Sequence, residues 1–146
     1  MRNISKHITY AEATASNVAK RHGIDNIPTV RNITAMENLA ENIFEKVRAR
    51  DNKPRRINSF FRNGAVNDAV GGSRMSQHCK GEAMDFVGSK EDFWYIVDNL
   101  EFDQIIWEYG NNDAPAWIHV SLKLDGKNRK QVLRKEYKQA YALFTK

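Results

Sequence analysis

"SRMSQHCKGEAMDF", residues 73–86, sets His78 and Asp85 on either side of Gly81. Gly81 lets the chain turn after the histidine, and strand alternation in "EAMDFV" directs Ala83 and Asp85 to one face. In "AWIHVSL", residues 116–122, the same alternation puts Trp117, His119 and Ser121 on one face and Ile118, Val120 and Leu122 on the other. One face of such strands would carry polar chemistry while the other packs a core.

Working outward, "FDQIIWEY" and "AWIHVSL" read as two strands joined by "GNNDAP", a loop of turn-forming residues, and hence as an antiparallel hairpin. "RRINSFF" reads as another strand, and "RNGAVNDAVGG" as a loop with a short helix closed by Gly71 and Gly72. "SKEDFWYIVDNL", residues 89–100, is a helix with Ser89 at its cap and acidic residues in its first turn. The strongest helical spacing runs from Thr34 to Arg50, through Met36, Leu39, Ala40, Ile43, Phe44 and Val47, with Thr34 and Glu37 as a capping box. "YAEATASNVAKRH", residues 10–22, reads as one helix ended by Gly23, followed by a turn-rich connector that Pro28 keeps out of helix. The tail, Arg129 to Lys146, is basic and mildly amphipathic, with apolar positions at Val132, Leu133, Tyr137, Ala140, Leu143 and Phe144.

The chain has 146 residues, 41% of them apolar and 28% charged, enough for one domain with a core and too few for two. A single domain over residues 1–146 is the expectation. No run approaches the roughly 20 apolar residues of a membrane span, and the polar N-terminus lacks a signal-peptide apolar region. The expectation is a protein made in the cytoplasm without an export device and without stable insertion in a membrane. One cysteine, Cys79, excludes an internal disulfide and a four-thiolate metal site. The net charge of +5 favours approach to polyanions and names none of them. Basic residues are scattered among acidic ones and no reading motif occurs, which ranks a nucleic-acid-binding role last.

A catalytic zinc takes three protein ligands and leaves a position for water, and His78, Asp85 and His119 could supply two nitrogens and a carboxylate oxygen. That set also suits iron, and a lone histidine is more often a structural hydrogen-bonding residue. His7 and His22 have no partners at ligand spacing and read as surface positions. Cys79 neighbours His78 but would point to the opposite face of an extended segment, and reads as a small buried residue. Trp107 and Trp117 read as core or cleft wall.

"SQHCKGEAMD" matches S-x-H-x-x-G-x-A-x-D, and "WIHVS" resembles the later histidine strand of the zinc D-Ala-D-Ala peptidases and related murein endopeptidases. "GIDNIP", the arginine-bearing "INSFFRNGAVNDAVGGS" and "FDQIIWE" extend the resemblance in the same order across nearly the whole chain, toward the phage and bacterial branch of that family. The resemblance implies an α+β fold, with helices packed on a small antiparallel sheet that carries zinc, as in the related hedgehog domain. It implies His78, Asp85 and His119 as the three protein ligands and Zn2+ as the cofactor. Relatives often place an acid three residues before the last histidine, where this chain has Ala116. Glu108, at the end of a strand resembling its hedgehog counterpart, is then the first candidate for the proton-transfer group, and Asp113 the alternative. Arg62 matches an arginine near the substrate, able to bind a carboxylate or an oxyanion, although Asn63 replaces the usual serine after it. Ser76 would support the ligand loop or contact substrate.

The function these features imply is zinc-dependent hydrolysis of a peptide bond in peptidoglycan, by an endopeptidase of a phage or prophage endolysin. D-Ala-D-Ala carboxypeptidase and L-Ala-D-Glu peptidase activities are alternatives, as is a non-catalytic zinc-binding module. The expected partner is a peptidoglycan peptide met by a monomer, which acts on the wall after release from the host cytoplasm.

Overall fold

The computed structural model describes residues 3–73 and 76–146. Its helices are α1 (Tyr10–Thr14), α2 (Asn17–His22), α3 (Val30–Leu39), α4 (Glu45–Asp51), α5 (Gly64–Ala69) and α6 (Lys90–Asn99). A single π turn, Ala40–Phe44, joins α3 to α4, and a 3-10 turn spans Gln77–Lys80. The strands are β1 (Ile57–Ser59), β2 (Ala83–Phe86), β3 (Gln104–Glu108), β4 (Trp117–Ser121), β5 (Gln131–Lys135) and β6 (Ala142–Leu143). They form one sheet in the order β1-β2-β4-β3-β5-β6.

Alternation decides what each face of this sheet does. Met84, Phe86, Ile105, Trp107, Ile118 and Val120 are at most 1% exposed and meet the apolar stripe of α3, the π turn and α4: Met36, Leu39, Ile43, Phe44 and Val47. Phe44 meets Phe86 edge to face at 5.9 Å, and Phe93 of α6 meets Trp107 at 5.3 Å, a favoured aromatic geometry. The helices therefore cover one face and leave the other to Asp85, Glu108 and His119. Beneath α6, the buried Asp92 caps the helix through Ser89 and accepts two hydrogen bonds from Arg55, at 2.7 and 3.1 Å. Arg50 also reaches Asp92, at 3.2 Å, and Arg55 also binds Asp51, so the buried carboxylate sits in a four-membered charge network.

The hairpin, the Ser89 cap and the short helix after Arg62 agree with the pattern in the sequence. The long helix begins earlier than expected, at Val30. Its capping box is Thr29 with Asn32, while the Thr34 hydroxyl bonds back to the Val30 carbonyl at 3.1 Å. Thr29 is the cap because its backbone is extended and its hydroxyl accepts from Asn32 N–H, which places Thr34 inside the helix. The expected single helix over residues 10–22 is broken: Ala15 is extended and the Ser16 hydroxyl caps a new start by accepting from Ala19 N–H at 3.1 Å. Gly23 ends α2 in the left-handed conformation, with φ of 63°.

The expected antiparallel sheet is corrected to a mixed one, because the tail adds β5 parallel to β3 and β6 antiparallel to β5. Phe144 pins this extension, its ring 5.2 Å from Trp94 and 5.5 Å from Trp107, and its N–H donating to the Val132 carbonyl at 3.0 Å. His7 is half-buried and paired with Glu45 at 2.6 Å rather than a bare surface residue, while Cys79 is half-buried rather than buried.

Candidate metal centre

The 3-10 turn presents His78. The Ser76 hydroxyl caps the turn by accepting from His78 N–H at 3.3 Å, and Gly81 closes it with φ of 77°. A Cβ on Gly81 would lie 2.5 Å from the Asn32 carbonyl oxygen, so glycine is needed both for the turn and for its approach to α3. The His78 ring is buried, and its Nδ1 lies 2.7 Å from the Phe60 carbonyl oxygen. A carbonyl only accepts, so Nδ1 carries a proton and Nε2 is the nitrogen turned toward Asp85 and placed to serve as a ligand.

Asp85 and His119 face each other across the β2–β4 pair. One Asp85 oxygen lies 2.9 Å from His119 Nδ1 and the other 3.4 Å from His78 Nε2. Burial alone would raise the Asp85 carboxyl, but its contacts with His119 and His78 prevail and hold it well below the usual carboxylate range. The ligand atoms of His78, Asp85 and His119 lie within 4.8 Å of one another. Two imidazole nitrogens and one ionised carboxylate, with one histidine tautomer set by a backbone carbonyl, fit the donor set of zinc with a coordination position left open.

These side chains open on a cleft of about 650 Å³ that also includes Arg62, Ser76, Glu108, Trp117 and Tyr141. Glu108 pairs in register with Trp117, and Ile106 with His119, so the hairpin brings Glu108 one alternation step along the face that carries His119. Glu108 is 8% exposed, and among the described residues nothing hydrogen-bonds to its carboxylate. Burial pushes this carboxyl up to about 7; His119 and Lys135 oppose the rise and Asp85 adds to it. Such a group gives and takes protons near neutral pH.

The Arg62 backbone N–H donates to the His78 carbonyl at 3.2 Å, and Nη2 lies 3.5 Å from the Ser76 hydroxyl. Its Nε is shielded from solvent and has no partner among the described residues. Asn63 caps α5 by accepting from Val66 N–H at 2.9 Å, a task its side chain shares with serine. Asp113 is exposed in the β3–β4 turn, held through its N–H by Asn111, and is absent from the cleft wall. Trp107 lies in the core and Trp117 in the cleft wall. Burial raises the Cys79 thiol, which argues against a ready thiolate.

Sequence reasoning missed Tyr109, Tyr141, Gln77 and Arg129 as cleft residues. Tyr141 reaches the cleft only because the tail folds back as β5 and β6, and nothing local in "KQAYALF" signals that return.

No curated protein gives a significant match to the chain. The family described as Peptidase M15 matches residues 6–121, from before α1 to the end of β4, leaving β5 and β6 outside the matched segment. The α+β architecture and the His78, Asp85 and His119 cluster accord with that match. The chain belongs to the peptidase M15 family and is a zinc-dependent metallopeptidase, with His78, Asp85 and His119 as the residues that could hold the metal.

Proposed function

We propose that this metallopeptidase hydrolyses a peptide bond in peptidoglycan, as an endopeptidase that severs cross-links during phage or prophage lysis. The observation that carries the reading is one cleft in which a three-ligand metal set shares a sheet face with a burial-tuned glutamate. Zinc, when bound, supplies Lewis-acid polarisation of the scissile carbonyl and of a water.

The chain's own residues do the rest. Glu108 accepts the proton of the attacking water and returns it to the departing amine, from the sheet face that also carries His119. Arg62, with an unsatisfied Nε, binds a substrate carboxylate or steadies the negative charge that develops on the scissile carbonyl. Ser76 holds the His78 turn and meets the Arg62 guanidinium, so it positions both. Glu108 is preferred to Asp113 because the latter is exposed and outside the cleft wall.

The net charge of +5 favours approach to an anionic envelope. No helix of the described residues is long and apolar enough to cross a membrane. In this reading the enzyme acts as a monomer on the wall after release from the host cytoplasm.

The test is digestion of purified diaminopimelate-type peptidoglycan by zinc-loaded protein, with released fragments and new termini identified by mass spectrometry. Cross-linked dimers should become monomers, cleavage should stop on chelation, and zinc should restore it. Released D-Ala, or new D-Glu amino termini, would replace the endopeptidase assignment with one of the other bonds. Stoichiometric zinc binding with no bond cut in any wall type would refute the peptidase reading in favour of a zinc-stabilised binding module.

A further inference from the structure

Beside the metal cleft lies a second cavity of about 660 Å³, bounded by the start of α3, the 3-10 turn and the β4–β5 loop. Gln77 and Arg129 line both cavities and form their common wall. Four cations, Arg31, Lys80, Lys123 and Arg129, face two carboxylates, Glu82 and Asp125, around this second space.

Each of these carboxylates accepts a backbone hydrogen bond and keeps its charge. Glu82 accepts from Leu124 N–H at 2.9 Å and Asp125 from Lys127 N–H at 2.8 Å. Under the common wall the fully buried Asp103 takes Arg129 at 2.7 Å, Gln77 at 3.1 Å and Lys123 at 3.7 Å. Arg31 and Lys80 are exposed and have no ion pair among the described residues. Both line the one cavity, and Asn32, next to Arg31, donates from Nδ2 to the Lys80 carbonyl at 3.2 Å and so ties α3 to the turn that bears Lys80. With Asp103 counted, four cations stand against three carboxylates, and this net positive charge draws an anion to Arg31 and Lys80, the two cations without an ion pair among the described residues. A guanidinium takes a carboxylate through two parallel bonds while an ammonium adds a point charge.

The geometry points to a carboxylate-binding subsite in which Arg31 and Lys80 anchor a free carboxylate of the same acidic stem peptide that is cut at the metal cleft. The peptide would pass from one cavity to the other over Gln77 and Arg129. This assignment rests on the peptidoglycan reading of the cleft.

The test compares a soluble cross-linked stem peptide whose D-Glu α-carboxylate is free with its amidated counterpart, using zinc-loaded wild-type protein and the Arg31→Ala, Lys80→Ala double variant. Both side chains are exposed, so folding should be retained. The double variant should raise KM for the free acid about tenfold, as expected for losing charge-assisted contacts, with kcat within about twofold. KM for the amidated peptide should not move. An equal rise on both substrates, or no rise on either, overturns the subsite.

Binding without turnover separates this idea from the function it rests on. When zinc-loaded, isotope-labelled protein is titrated with a γ-D-glutamyl dipeptide bearing the free α-carboxylate, the amide signals of Arg31, Asn32 and Lys80 should shift, and should not in the double variant. Inorganic phosphate shifting them at lower concentration than the dipeptide would reassign the site to wall phosphate and overturn the carboxylate source. Absence of shifts with both probes overturns the site itself. Shifts with the dipeptide in a protein that cuts neither stem peptide would support the subsite and refute the peptidoglycan reading of the cleft.

Discussion

Replacing Glu108 with Gln should stabilise the metal-free protein at alkaline pH while abolishing most of its activity. The side chain is 8% exposed, and burial raises its carboxyl from 4.5 to about 7. A group whose folded-state value lies above its unfolded one contributes stability that is complete below about pH 4.5 and is lost as pH rises through 7. At about 1.4 kcal/mol for each pH unit, ionised Glu108 costs the folded state up to roughly 3 kcal/mol, and about 2 once partial access of water to the cleft is allowed for. Glutamine has the same shape and does not titrate, so this cost disappears. Urea unfolding of metal-free wild type and Glu108→Gln at pH 5 and pH 8 should show wild type losing about 2 kcal/mol relative to the variant across that interval. The falling contribution of Asp85 at low pH has the opposite sign and is present in both proteins, so it cancels in the comparison. With zinc restored, the variant should lose about 10²-fold or more in kcat while keeping the metal. A stability difference that does not change with pH would refute the argument that Glu108 is held protonated by burial.

Other perturbations probe the remaining parts of the site. Gly81→Ala forces a side chain into a left-handed conformation and against the Asn32 carbonyl at 2.5 Å; thermal unfolding should show a loss of about 2 kcal/mol or more, and zinc competition a weaker site, because His78 leaves the same turn. Asp113→Ala should leave kcat/KM within about twofold, since its side chain is exposed outside the cleft; a loss as large as that of Glu108→Gln would transfer the proton-transfer role to Asp113. Phe144→Ala removes the half-buried ring packed on Trp94 and Trp107 and should cost about 2 kcal/mol in denaturant unfolding. Because Phe144 holds the return that carries Tyr141 to the cleft, the same variant should also raise KM; unchanged kinetics in a folded variant would remove the tail from the substrate path.

The features legible in the sequence are those written at short range. Alternation with a period of two sorts Ile118 and Val120 from Trp117 and His119, and the Ser89 cap and the loop around Asn111 mark element ends through groups only a few residues apart. Family resemblance picked out His78, Asp85 and His119, and the structure brings all three together. At the start of the long helix and at Ala15–Ser16 the expectation differs from the structure because a hydroxyl reads alike in sequence as a cap or as a helix-interior residue, and Thr34 bonds back to the Val30 carbonyl while Ser16 caps a new helix.

Tertiary structure alone decided what depends on groups far apart in the chain. The proton on Nδ1 of His78 is set by the carbonyl of Phe60, the proton affinity of Glu108 by its burial beside His119 and Asp85, and the seat of the Lys80 turn against α3 by Asn32. The parallel seat of β5 against β3, and with it the arrival of Tyr141 in the cleft, likewise has no local signature. The physical reason is one of range: turns, caps and alternation are favoured by neighbouring residues, whereas burial and pairing gain their energy only when the chain closes long loops around a common core.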